Sequence, residues 1–174
     1  MGAKSITIDS PRGVNALPAL LLRPAIARWL LVLAHGAGAG MQHSFMEAIA
    51  ARLAEREFAT LRYAFPYMAI GRRVPDRPPL LQATVNAAIA AAAAECTDLP
   101  LLAGGKSMGG RMTSRACAET RESADWCSSA FHSTPLESRG RSEPITCRTS
   151  RPRCSFYKEL ETNSRTLPVH SPRR

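Results

Sequence analysis

A serine with glycines two residues before and after it, Gly105-Lys106-Ser107-Met108-Gly109, lies between an apolar run, Leu99 to Ala103, and a helix-forming run, Met108 to Glu119. This spacing fits a sharp strand-to-helix turn that exposes a nucleophilic hydroxyl at its tip. A serine there occupies strained backbone, so its flanks must lack bulk. The helix start behind it offers unpaired N–H groups and the positive end of a dipole, both suited to a developing oxyanion.

A second small-residue loop precedes it. Trp29 to Ala34 reads as a fully buried strand that runs into His35-Gly36-Ala37-Gly38-Ala39-Gly40. Two phosphate-binding readings of these glycines fail by one residue each. A Walker A loop ending in Gly105-Lys106-Ser107 requires glycine at position 100, which is Pro100, and a dinucleotide fingerprint through Gly36 and Gly38 requires glycine at Met41. No cofactor is therefore expected, and the spacings of Cys96, Cys117, Cys127, Cys147 and Cys154 contain no C-x-x-C pair for a metal.

Elements that could carry these loops follow in order. Ser5 to Asp9 and Leu17 to Leu22 read as strands around the turn Pro11-Arg12-Gly13. Ser44 reads as the cap of a helix to about Glu57, with Phe45, Ile49 and Leu53 at helical spacing and His43 as a loop residue before it. Ala59 to Tyr63 is the next strand, Arg72 to Pro79 an irregular loop, and Leu80 to Glu95 an Ala-rich helix. Alternating buried strands and helices predict a mostly parallel sheet with helices on both faces, the site lying at its carboxyl edge.

The chain of 174 residues is long enough for one domain, but its composition changes near residue 119. Residues 120–174 are rich in Arg, Ser, Thr and Pro and have no apolar period. Of the net charge of +9, +4 falls in this shorter part. The arginines are scattered and aromatics few, so a solvated surface is expected rather than a specific nucleic-acid partner. Arg23 and Arg28 interrupt the apolar stretch from Leu17 to Ala34, which excludes it as a signal core or membrane span, and Ile6 spoils a myristoylation start. A reduced, cytoplasmic protein is the expectation; oligomeric state is left open.

Residues 29–118 resemble a small bacterial α/β-hydrolase of the dienelactone-hydrolase-like group. The residues that carry the resemblance are His35 to Gly40, Leu61-Arg62-Tyr63-Ala64-Phe65-Pro66-Tyr67, Gly71-Arg72-Arg73 with Pro75, and Gly104 to Arg111. Within that group they look most like the branch of the testis-expressed and NSL-complex subunit-3 hydrolase-like domains. The resemblance implies a serine hydrolase acting on an ester, thioester or lactone. It makes Ser107 the nucleophile and the backbone N–H groups of Ala37 and Met108 the oxyanion donors. Its partner would be a small acyl substrate; Lys106 and Arg111 either bias it toward an anion or, as their residue types favour, serve as a packed-stem lysine and a surface arginine. His35 shapes the loop rather than acting as base.

The acid and histidine that should follow the serine are not recognisable. Asp125, Glu159 and Glu161 are candidate acids and His132 and His170 candidate bases, but their surroundings do not resemble the family's. The chain thus reads as residues 1–118 of an incomplete α/β-hydrolase domain and a basic tail, 119–174, expected to be disordered and to leave the protein marginally stable. A change of reading frame near Thr120 is one hypothesis for the break, to be decided by sequencing the gene. In the frame joining each third codon base to the next two, Asp125-Trp126-Cys127 must encode Leu-Val, and Glu122 to Pro135 permits V-R-G-L-V-F-L-G-F-P-L-H-P, a buried strand. Further on, Phe156-Tyr157 forces Leu, and the run through Thr162 permits L-Q-G-T-R-D, which resembles the family's acid-bearing strand end. The alternative is a non-catalytic truncated fragment or binding module.

Overall fold

The structure, a computed structural model, describes residues 2–11, 16–119 and 127–128. The strands are β1 (Lys4–Ile8), β2 (Leu17–Leu22), β3 (Trp29–Ala34), β4 (Phe58–Tyr63), β5 (Leu101–Gly105) and β6 (Cys127–Ser128). The helices are α1 (Ser44–Ala54), α2 (Pro66–Ala69), α3 (Pro78–Glu95) and α4 (Met108–Glu119). Arg12 and Gly13 of the expected first turn lie outside the described residues, as do Asp125, His132, Glu159, Glu161 and His170 and the unit Leu136–Arg174.

One mixed sheet runs in the order β1-β2-β4-β3-β5-β6. β1, β2 and β4 pair antiparallel, whereas β3 is parallel to β4 on one side and to β5 on the other, and β5 is parallel to β6. Leaving β3, the chain passes through α1 to β4; leaving β4, it returns across β3 to β5. The direction of winding therefore reverses at β3, and the carboxyl ends of β3 and β5 lie side by side at the position where open α/β sheets place their sites. Register aligns those ends: Ala34 pairs with Gly105.

Side-chain alternation along the strands assigns the two faces. Leu30, Val32 and Ala34 of β3 and Ala59, Leu61 and Tyr63 of β4 join one core with Leu81, Val85, Ala88 and Ala92 of α3 and Met108, Met112 and Ala116 of α4. Thr60 and Arg62 point to the opposite face, beneath α1, whose Met46 and Ala50 are buried. Of Phe45, Ile49 and Leu53, which stand at helical spacing in α1, Ile49 and Leu53 are half-buried. Phe45 is instead 38% exposed, because its ring packs under a lysine at the site.

Other boundaries shift for local reasons. α1 stops at Ala54, three residues before the expected Glu57, which takes φ 63° and accepts the Arg28 N–H at 2.7 Å to enter β4. Its cap is His43, not Ser44: the His43 Nδ1 accepts the Phe45 N–H at 3.2 Å, so this is a structural histidine. α3 starts at Pro78, whose ring pre-sets helical φ, rather than at Leu80. β5 extends through Gly104 and Gly105 because pairing with β3 continues there. The short α2 is not apparent in the sequence pattern. β6 lies inside the segment read as patternless; backbone pairing along the free side of β5 needs no apolar period.

Candidate active site

Ser107 stands alone in backbone geometry within the turn that joins β5 to α4. Its φ is 51°, in the left-handed region that costs a side-chain-bearing residue roughly 1–3 kcal/mol. Glycines make the turn possible by letting it lie against β3. A Cβ on Gly105 would fall 2.6 Å from the Ala34 carbonyl oxygen and 2.8 Å from its Cβ; one on Gly109 would fall 2.5 Å from the His35 carbonyl oxygen. The Lys106 N–H donates to the Ala34 carbonyl at 2.9 Å, carrying the sheet ladder one residue past the strand. The Gly109 N–H then donates to the Lys106 carbonyl, and the Arg111 N–H to that of Ser107, which starts α4 directly behind the serine. Ser107 is exposed while its neighbours Gly105, Met108 and Gly109 are buried.

The facing loop, Gly36 to Gly40, is held by side chains from the β4–α2 segment. His35 is wholly buried, with its Nδ1 2.8 Å from the Gly36 carbonyl and its Nε2 accepting the Phe65 N–H at 3.2 Å. The carbonyl must accept and the amide must donate, so the neutral Nδ1–H tautomer is fixed. Burial lowers the His35 pKa, partly offset by the Gly36 and Ala39 backbone. The Gly36 carbonyl and the Ala37 N–H belong to one planar trans peptide. Anchoring that carbonyl to His35 therefore turns the Ala37 N–H the opposite way. Tyr67 OH donates to the Ala37 carbonyl at 3.0 Å, and the buried Arg62 donates Nη1 to the Met41 carbonyl at 3.0 Å. Burial lowers the Arg62 pKa against the pull of Glu47.

The structure thus brings Ser107, Ala37 and Met108 to adjacent strand ends. As the first helical residue, Met108 has an N–H with no intrahelical acceptor. Among the described residues the Ala37 N–H has no loop or turn acceptor and the Ser107 hydroxyl no hydrogen-bond partner. No described histidine reaches that hydroxyl: His35 has both ring nitrogens engaged, and His43 caps α1. Lys106 lays its ammonium 4.0 Å above the Phe45 ring, and Arg111 is exposed on α4. Among the described residues there is no cluster of three His, Cys, Asp or Glu that could hold a metal, and no helix is long and apolar enough to cross a membrane. Sequence reasoning assigned no role to Arg62, Tyr67 or Asp76. Tyr67 and Arg62 lie in a quoted motif, but only the folded chain shows which carbonyls they meet.

A winding reversal, a glycine-braced serine at one strand end and a braced small-residue loop at the next define an α/β-hydrolase-like protein. The chain belongs to the alpha/beta hydrolase domain family, whose model matches residues 27–151. That span passes the boundary at Ala118 that the sequence pattern suggests. No curated protein matches the chain. Among solved structures it is similar to a dienelactone hydrolase from Anabaena variabilis (21% identity, TM-score 0.60, covering 69% of this chain and 58% of that one). A serine hydrolase without a lid from Xanthomonas campestris is similar at 20% identity and TM-score 0.58, covering 70% and 58%. A thermostable carboxyl esterase from Bacillus coagulans is similar at 16% identity and TM-score 0.59, covering 71% and 42%. The chain therefore spans less than two thirds of each of these proteins.

Two outcomes follow from this geometry. Gly105→Ala should lower stability by about 2–3 kcal/mol, since backbone atoms must move, whereas Gly38→Ala, where a Cβ meets nothing within 4 Å, should be near neutral; urea denaturation compares them. His35 should make stability pH-dependent. Its folded pKa lies below the ordinary 6.5, so the unfolded chain binds the proton first as pH falls. The stabilisation is complete above pH 6.5 and declines below it, by up to about 1.4 kcal/mol per pH unit. Denaturation midpoints between pH 8 and 5 should show that slope, and His35→Gln should reduce it.

Proposed function

We propose that this chain carries a serine-hydrolase site for a small acyl substrate, an ester, thioester or lactone. The observation that carries the reading is the exposed Ser107 held at φ 51° between β5 and α4. Its oxygen attacks the acyl carbon, the carbonyl electrons move to oxygen, and the Ala37 and Met108 N–H groups take up that negative charge. Collapse breaks the bond to the leaving oxygen or sulfur, which takes up, through solvent, the proton that Ser107 gives up and stays tethered to the acyl chain when the substrate is a lactone; the acyl-serine left behind is hydrolysed by water. No cofactor enters this scheme. The fold kinship to a dienelactone hydrolase and to esterases supports an acyl substrate. The motifs at 61–67 and 104–111 favour the testis-expressed and NSL-complex subunit-3 branch. The buried free thiol of Cys96 agrees with a reducing, cytoplasmic setting.

The same reading makes the site slow. The acid and histidine that should follow the serine are not recognisable in the sequence, and a serine hydrolase without them keeps only the catalysis of its oxyanion donors, several orders of magnitude below a complete triad. The second reading, a non-catalytic fragment or binding module, rests on the same unrecognised acid and histidine in the sequence. A fluorophosphonate probe separates the two. The hydrolase reading expects slow labelling of the purified protein that disappears in Ser107→Ala. Equal labelling of both proteins, or none of either, means the hydroxyl is not an activated nucleophile.

A further inference from the structure

We infer that Tyr67 is a positioning residue for the oxyanion loop, held in place by Asp76. The inference rests on the serine-hydrolase reading of Ser107 and Ala37. The loop from Gly36 to Gly40 alternates glycine and alanine, and the hydrogen bond that crosses it, from the Ala39 N–H to the Gly36 carbonyl, is long at 3.5 Å. At Gly38 even an added Cβ would meet open space, and neighbouring packing does not hold the loop there. The loop needs an outside clamp, and the Tyr67 hydroxyl on the Ala37 carbonyl supplies one on the residue whose N–H is to meet the oxyanion.

Tyr67 is itself fixed at three points. Its ring is buried, near the rings of Phe65 and His35 at 6.4 and 6.2 Å between centroids. Its N–H donates to Asp76 Oδ2 at 2.9 Å, and its carbonyl accepts the Arg72 N–H at 2.8 Å. Arg72 in turn lies 3.7 Å from Asp76 through its guanidinium, closing a ring from residue 67 to 76. Burial, and then the charge of Asp76, raise the Tyr67 pKa, so the hydroxyl keeps its proton and remains a donor through neutral and mildly alkaline pH. His35 fixes the peptide before Ala37 and Tyr67 the peptide after it. Both φ and ψ of Ala37 are thereby constrained by side chains bonded to the carbonyls on either side of it.

Tyr67→Phe tests this with little change in packing, since it removes one hydroxyl. Two readouts are taken on the full chain: backbone amide exchange over residues 36–41, and the concentration dependence of fluorophosphonate labelling, which separates reagent binding from the chemical step. The expected result is at least several-fold faster exchange in the loop. The maximal labelling rate should fall about 5- to 20-fold, less than the loss of an entire oxyanion donor, with half-saturation unchanged. Asp76→Ala should show the same pattern in weaker form, and the denaturation midpoint of Tyr67→Phe should stay near that of the parent. Unchanged loop exchange and labelling in Tyr67→Phe would overturn the inference. So would a loss of labelling that follows global destabilisation or a change in half-saturation alone. Failure of the hydrolase reading is seen separately, in the parent protein, as no labelling of Ser107.

Discussion

The close contact between two backbones, at Ala34–His35 and at Gly105–Gly109, is the constraint on which the site depends. The strand-to-helix turn reaches its geometry only by lying on the end of β3, with the Lys106 N–H bonded to the Ala34 carbonyl. Any side chain at Gly105 or Gly109 would push that turn away, because a Cβ at either position falls under 3 Å from main-chain atoms. That contact leaves Ser107 little room to relax its positive φ. It also sets the spacing between the serine and the Gly36–Gly40 loop. The strain at Ser107 is of order a few kcal/mol at most, and packing of Met108, Met112 and Ala116 against the sheet can oppose it.

Support for the second loop comes from the other direction. β4 and the residues after it provide His35 with an N–H, Ala37 with a hydroxyl and Met41 with a guanidinium. These bonds link the β3–α1 loop to the β4–α2 segment, so two successive crossovers are tied at one edge of the sheet. Arg62 contributes at a cost, since it is 5% exposed and its Nε has no partner among the described residues. A buried guanidinium persists where it holds something that an apolar residue could not. Here that is the Met41 carbonyl at the end of the loop.

Much of the sheet was legible because buried parallel strands write themselves as apolar runs. Trp29–Ala34 needed no further signal, and the glycines around Ser107 reported a steric requirement that is local in sequence. His43 as a helix cap was not legible, since a histidine nitrogen can replace a serine hydroxyl only once the chain has turned to present it. Nor was the outward position of Phe45, which depends on Lys106 some 60 residues later. Tyr67 and Asp76 act through carbonyl and amide groups that every residue possesses, so their roles have no sequence pattern. β6 paired with β5 in a segment with no strand signal, where backbone alone makes the bonds. The family match running to residue 151 likewise exceeds what the residue pattern carries beyond Ala118.

The site proposed for Ser107 sets its hydroxyl before a prepared oxyanion hole. A crystal structure of the protein after reaction with an alkylphosphonate addresses it directly, because the phosphoryl oxygen of such an adduct stands where the oxyanion of an acyl intermediate would lie. Phosphorus is expected bonded to Ser107 Oγ, with its free oxygen about 3 Å from the N–H groups of both Ala37 and Met108. An adduct on another residue, or a phosphoryl oxygen turned away from those two amides, would contradict it.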